Sequence, residues 1–267
     1  MPKQSGIYKL KGKLDGLSYY RQSGVDSQLV RRINTAMSSR VKTSDEFANT
    51  RRNNVEFGGA ADVAKLLGAA VQPKFRPMFL NFSQSKLTKD ILEMVKASTG
   101  DWGQRAVTAA NTPDMLASLN SLSKIDFRST YGILSADEGA TSGQTEIDLI
   151  GTRDQVAALQ SLGVDGVDFK VITYQLLTGK YNNTLGKIEN GRLTPIASQI
   201  ESNNFGEDEY TAFTVNIAAE IEGITPPPTF VLHSICVVVA LPYRKINNVK
   251  YTLQEYCSFD AVECVIA

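Results

Sequence analysis

Histidine occurs only once in these 267 residues, and that scarcity removes whole classes of chemistry. A two-histidine zinc motif of the H-E-x-x-H type cannot be built from His233 alone. Its run, TFVLHSICVVVAL, reads as a strand, in which Ser234 would point away from His233. A catalytic Ser–His pair is therefore not expected there, and His233 reads as structural or as an edge residue. No glycine-rich phosphate loop follows a strand-like segment. Cysteine is sparse and odd in number: Cys236, Cys257 and Cys264 all fall in the last third, without C-x-x-C spacing. They read as buried free thiols, since Cys packs as a small hydrophobe. No apolar run approaches the roughly 18 residues of a membrane span, and MPKQSG lacks the apolar stretch of a signal peptide. A soluble chain that stays where it is made is expected, with no membrane partner.

Net charge is absent too, with 28 basic and 28 acidic residues. No overall polyelectrolyte argument for nucleic acid follows. The balance hides an asymmetry, however. Residues 1–52 carry eleven Lys and Arg against four acids, a net of +7, which leaves −7 for the remainder. From Thr194 to Tyr243 there is no Lys or Arg but six acids, Glu201, Glu207, Asp208, Glu209, Glu220 and Glu222. A basic arm and an acidic body can attract each other across a subunit boundary.

What is present begins with KGKLDGLSYYR, residues 11–21. Asp15-Gly16 between Leu14 and Leu17 is a strong hairpin signal, because Gly supplies the positive φ of a type I′ turn. The register then sets Leu14 against Leu17, Gly12 against Tyr19 and Leu10 against Arg21, with an aromatic ring over the glycine. Such a ribbon alone is marginal in water and needs a surface to lean on. QLVRRI, Gln28 to Ile33, reads as a third strand. The candidate partner-binding residues are Lys11, Lys13, Leu14, Leu17, Tyr19, Tyr20, Arg21, Arg31 and Arg32. With Tyr8 they interleave basic and aromatic groups, a pattern that can also stack bases and neutralise phosphates. The arm lacks the dense basic run of genome-binding tails, so docking on protein is preferred to docking on nucleic acid.

Thr43-Ser-Asp-Glu46 has the form of a capping box and predicts a helix start. Phe47, Thr50, Asn54, Phe57, Ala61, Ala64 and Gly68 then recur at helical spacing, with Arg51, Arg52 and Lys65 opposite. A second helix is expected from Ser85 to about Ser98, with Leu87, Ile91, Met94 and Val95 on one face and Gly100 as its stop. Between the two, QPKFRPMFLNF with Pro73 and Pro77 predicts an extended connection. From about Lys124 the period becomes that of strands, in IDFRSTYGIL, TEIDLI and VDFKVITYQLL, with RDQVAALQSLG (Arg153 to Gly163) as one helical insertion. Phe213, Val215, Ile217, Ala219 and Ile221 alternate, as do Ile235, Val237, Val239 and Leu241, which predicts one buried and one wet face. NNTLG, GEDE, TPPPT and KINN supply turns for an antiparallel meander or Greek key. FGEDEYT lacks the ligand pattern of an EF-hand and reads as a solvated turn; ITPPPTF reads as a rigid connection.

The expected fold is α+β: a basic β-hairpin docking arm over 1–42, a helical region over 43–123, and an antiparallel β-sandwich, Ig-like or jelly-roll-like, over 124–267. No catalytic, cofactor-binding or metal residue is identifiable, so a non-enzymatic protein without cofactors is expected.

GKLDGLSYYR, RVKTSDEFANTRRNNVEFGGAADVAKLL and YRKINNVKYTLQEYCSFDAVECVIA together resemble a widespread uncharacterised family of Bacteroidetes genomes, their integrated elements and their phages, crAss-like phages included. The carrying residues are Phe47, Thr50, Arg51, Asn53, Glu56 and Phe57 on the first helix, and Asn248, Tyr251 and Leu253 in a late hairpin. The resemblance implies a virion component assembled in the host bacterial cytoplasm, namely an auxiliary capsid protein. Its partner would be the major capsid protein, another virion protein or a further copy of itself. A DNA-binding or packaging-associated protein of a mobile element is the alternative.

Overall fold

Gly16 takes φ +75°, and Leu14 faces Leu17 while Gly12 faces Tyr19, which is the hairpin register expected from Asp15-Gly16. The protein is described here from a computed structural model covering residues 3–4, 12–14, 16–20, 28–32, 35–75, 83–138, 145–191, 193–204, 213–215 and 230–263. The Leu10–Arg21 pair, FGEDEYT, ITPPPT and Cys264 lie outside those residues. By its internal contacts the chain forms two units, Met1–Asn53 and Asn54–Ala267.

In the first unit, β2 (Gly12–Leu14) and β3 (Leu17–Tyr20) form the hairpin, β4 (Gln28–Arg32) pairs with β3, and β1 (Lys3–Gln4) pairs with β4. The order β1-β4-β3-β2 thus adds a strand that the sequence pattern did not mark. Helix α1 (Thr35–Thr43) follows. Thr43 therefore closes a helix rather than opening one, which corrects the expected capping box. Its hydroxyl donates back to the Ser39 carbonyl at 3.0 Å, and Glu46 pairs instead with Arg40. Ser and Thr hydroxyls choose between capping forward and bonding the preceding turn, and here the preceding turn wins. Arg51 donates to the Val41 and Ser44 carbonyls at 2.9 and 2.7 Å, closing the end of α1.

Helix α2 (Ala48–Phe75) runs through Pro73, where an extended connection was expected. A proline this close to a helix end removes one backbone bond near the last turn and leaves the remainder of a 28-residue helix intact. The buried line of α2 also differs from the expected stripe. Thr50, Asn54 and Phe57 are exposed, whereas Glu56, Gly59, Ala60, Val63, Ala64 and Leu67 are buried. A buried glutamate is what misplaces a stripe drawn from hydrophobicity alone.

Helix α3 (Gln84–Ala97) begins at Ser83, whose side chain accepts from the Lys86 N–H, and buries Leu87, Ile91 and Val95 as expected. Helix α4 (Thr112–Asn120) buries Met115, Leu116 and Leu119. These helices share a core with Ile172, Tyr174, Ile235, Val237, Val239 and Phe259, so they cover one face of the main sheet.

That sheet is antiparallel throughout, with order β10 (Leu193–Asn204), β7 (Gly166–Gly179), β12 (Phe230–Ile246) and β13 (Val249–Thr252), while β14 (Ser258–Glu263) pairs with the other half of β12. IDFRST, expected to be strand, contains instead the one-turn helix α5 (Phe127–Thr130), because the Asp126 carboxylate caps the Arg128 N–H at 3.0 Å. Strands β5 (Ile133–Glu138) and β6 (Thr145–Ile150) follow, and β11 (Phe213–Val215) completes a three-stranded sheet. Helix α6 (Arg153–Ser161) is the expected insertion, started by a Thr152–Gln155 capping box. A short hairpin, β8 (Tyr181–Asn182) with β9 (Lys187–Ile188), links β7 to β10.

Alternation along β12 does not mark a wet face. Ile235, Val237 and Val239 join the helical core, while Cys236, Val238 and Ala240 pack in a second core with Phe127, Leu134, Ile147, Leu149, Leu159 and Phe169. The strand is central and covered on both sides, so all six of these positions are buried. Two hydroxyls are stranded by this: Thr173 Oγ1 and Ser234 Oγ have no hydrogen-bond partner. Replacing them by isosteric apolar groups, Thr173→Val and Ser234→Ala, is expected to stabilise the protein, by up to about 1 kcal/mol each. Denaturant midpoints measure this, and a drop in stability would mean that buried water bridges the pair.

Candidate partner-binding surface

On the first unit's sheet, cross-strand register sorts the side chains into two faces. Gly12, Leu14, Leu17, Tyr19, Val30 and Arg32 share one, and Lys13, Ser18, Tyr20, Leu29 and Arg31 share the other. Leu14 is 55% exposed, and Leu17, Tyr19, Tyr20 and Val30 are half-buried. Lys13, Arg31 and Arg32 are exposed. The Arg31 guanidinium lies 5.5 Å from the centre of the Tyr20 ring, a cation–π contact that holds the two as one basic–aromatic group. Seven of the nine candidate residues thus fall on one small sheet. Lys11 and Arg21 lie outside the described residues. Leu14 and Tyr19 present apolar area on one face, while Lys13 and Arg31 present charge on the other.

His233 is 1% exposed and sits between two hydroxyls, Thr112 Oγ1 at 2.8 Å from Nδ1 and Thr178 Oγ1 at 2.7 Å from Nε2. The Thr112 hydroxyl donates to the Ala109 carbonyl at 2.7 Å. Its single hydrogen is thereby spent, so Nδ1 must carry a proton and Nε2 must accept from Thr178. Burial pushes the imidazole pKa down to about 4, and the ring is neutral at physiological pH. It joins the start of α4 to β7 and β12, and among the described residues no carboxylate is in hydrogen-bond contact with the ring. Cys236 and Cys257 are buried and reduced, and burial raises the Cys257 thiol to about 11, far from a reactive thiolate.

Sequence reading missed the principal buried ion pair. Glu56, 1% exposed, accepts from Arg105 Nε at 2.7 Å, Arg105 Nη2 at 2.9 Å and the Gly103 N–H at 2.8 Å. Burial alone would raise this carboxyl; the Arg105 and Gly103 hydrogen bonds outweigh it and hold it below the usual range. Glu56 therefore fastens the segment after α3 to α2. Asp260, 2% exposed, is paired with Arg128 at 2.8 Å, yet burial wins there and its carboxyl is raised. The Glu-Phe pair in the helical motif was the available signal, but nothing in it distinguishes a buried clamp from a solvated face.

Among the described residues no group of three or more His, Cys, Asp and Glu could hold a metal ion, and no helix is long and apolar enough to cross a membrane. No family model, curated protein or solved structure matches this chain.

Proposed function

We propose that the protein is a non-enzymatic virion structural protein, an auxiliary or decorating capsid protein that docks on a protein lattice through its N-terminal sheet. The observation that carries the reading is the first unit itself: a four-stranded sheet whose Leu14, Leu17, Tyr19 and Tyr20 keep substantial exposure beside Lys13, Arg31 and Arg32. Aromatic and Arg side chains on a preformed surface are what protein interfaces favour. The second unit is then the displayed body. The packing of β5 and β6 against β7 and β12 supports a sandwich-like arrangement for it, of Ig-like or jelly-roll kind. Major capsid protein or another virion protein is the partner in this reading, and the virion, assembled in the bacterial cytoplasm, its location.

Deleting residues 1–42 is expected to leave a protein with the circular dichroism of mixed helix and strand and a thermal transition, and to abolish binding to purified particles. In the full chain, Gly16→Val should weaken that binding about tenfold, since φ +75° is strained for a β-branched residue. Full binding by the truncated chain defeats the reading. Tight binding of both chains to duplex DNA, falling steeply with salt, would favour the packaging alternative instead.

A further inference from the structure

The hairpin of β12 and β13 has two unlike faces. On one, Lys250 Nζ lies 2.8 Å from Asp168 Oδ1 and 4.2 Å from the centre of the Tyr243 ring, and the Lys245 N–H donates to Asp165 at 2.6 Å. On the other, Ile246 faces Val249 and Arg244 faces Tyr251. Ile246, Val249 and Tyr251 are each 52% exposed. Arg244 donates to the Gly163 and Leu162 carbonyls at 2.8 and 3.1 Å, and the Leu162 side chain is itself 46% exposed. The turn holds Asn247 and Asn248 at φ 53° and 64°, the pair of positive angles of a type I′ connection. Lys250 and the Lys245 N–H tie the ribbon to Asp168 and Asp165, and Arg244 ties it to two backbone carbonyls, while Ile246, Val249 and Tyr251 keep half of their surface exposed.

We propose that this face, Leu162, Arg244, Ile246, Val249 and Tyr251, docks an extended acidic–apolar segment of a partner protein. Exposed apolar groups paired across one face of a ribbon mark an interaction site. Among the described residues Arg244 is bonded to carbonyls and to no carboxylate, so the face carries an uncompensated positive charge that an acidic side chain would complement. A second copy of this chain fits poorly. Five side chains fall well short of the roughly 800 Å² per partner of a stable dimer. A short strand needs less area, and the preformed turn lowers the ordering cost of receiving it. This inference stands independently of the N-terminal docking sheet.

Two synthetic peptides test it on the full chain, Ac-TVEVTVDVT-NH2 and its counterpart with Lys in place of Glu and Asp, by amide chemical-shift perturbation. The acidic peptide is expected to move Leu162 and the 244–251 amides, to bind about fivefold more tightly than the basic one, and to lose binding in the exposed-site variant Val249→Ser/Tyr251→Ser. Arg244→Gln should abolish the preference between the peptides. No binding at millimolar peptide, shifts elsewhere, or indifference to charge sign would overturn the proposal. So would concentration-dependent self-association in sedimentation that Tyr251→Ser removes, because a second copy would then be the occupant.

Discussion

Glu56→Ala is expected to lower the unfolding free energy by about 2–3 kcal/mol, because it leaves the buried Gly103 N–H and the partly buried Arg105 guanidinium without their acceptor. The substitution strands three donors at once: both Arg105 nitrogens and the Gly103 N–H. Arg105→Ala should cost less than Glu56→Ala, because the remaining carboxylate keeps the Gly103 bond and can protonate. Urea denaturation of the two single variants and the double variant gives the coupling directly, and additive losses would show that the pair is not a unit. The sign with pH follows from the lowered carboxyl. The pair stabilises fully above the ordinary glutamate range, and that stabilisation is lost as pH falls through the depressed value.

Acid should expose a second large term, at His233. Its folded pKa of about 4 lies below the unfolded 6.5, so the unfolded chain binds more protons between those two values. Stability is therefore complete above pH 6.5 and falls as pH drops towards 4, by roughly 3 kcal/mol over the window. His233→Gln should be less stable near neutrality by about 1–2 kcal/mol, while the additional loss between pH 6.5 and 4 disappears. Comparing the two pH profiles cancels the carboxylates common to both. Parallel profiles would refute the depressed histidine, and nitrogen NMR showing an Nε2–H tautomer would refute the hydrogen-bond chain through Thr112 and Thr178. If Gln at this position destroyed particle binding in a folded protein, a structural role for the ring would be insufficient.

Much of the local structure was legible in the sequence because it depends on neighbours in the chain. Asp15-Gly16 sets the register of Leu14 against Leu17, and Lys-Ile-Asn-Asn supplies the turn between β12 and β13. The expected start of α3 at Ser85 falls one residue inside Gln84–Ala97, and Leu87, Ile91 and Val95 mark its buried face. The candidate binding residues were legible as a cluster for the same reason: they lie on strands joined by short-range pairing.

What only the tertiary structure decided concerns partners distant in sequence. One local choice also escaped the pattern: Thr43 bonds back to Ser39 and Glu46 is taken by Arg40, so a capping pattern ended a helix. Glu56 is buried because Arg105, 49 residues away, neutralises it, and no local period announces that. Strand β12 is covered on both faces, by helices that precede it by more than a hundred residues and by a second sheet, so alternation could not separate inside from outside. Period-2 patterning sets which side chains share a face, but the reach of the covering elements determines which of those faces stays open to a partner.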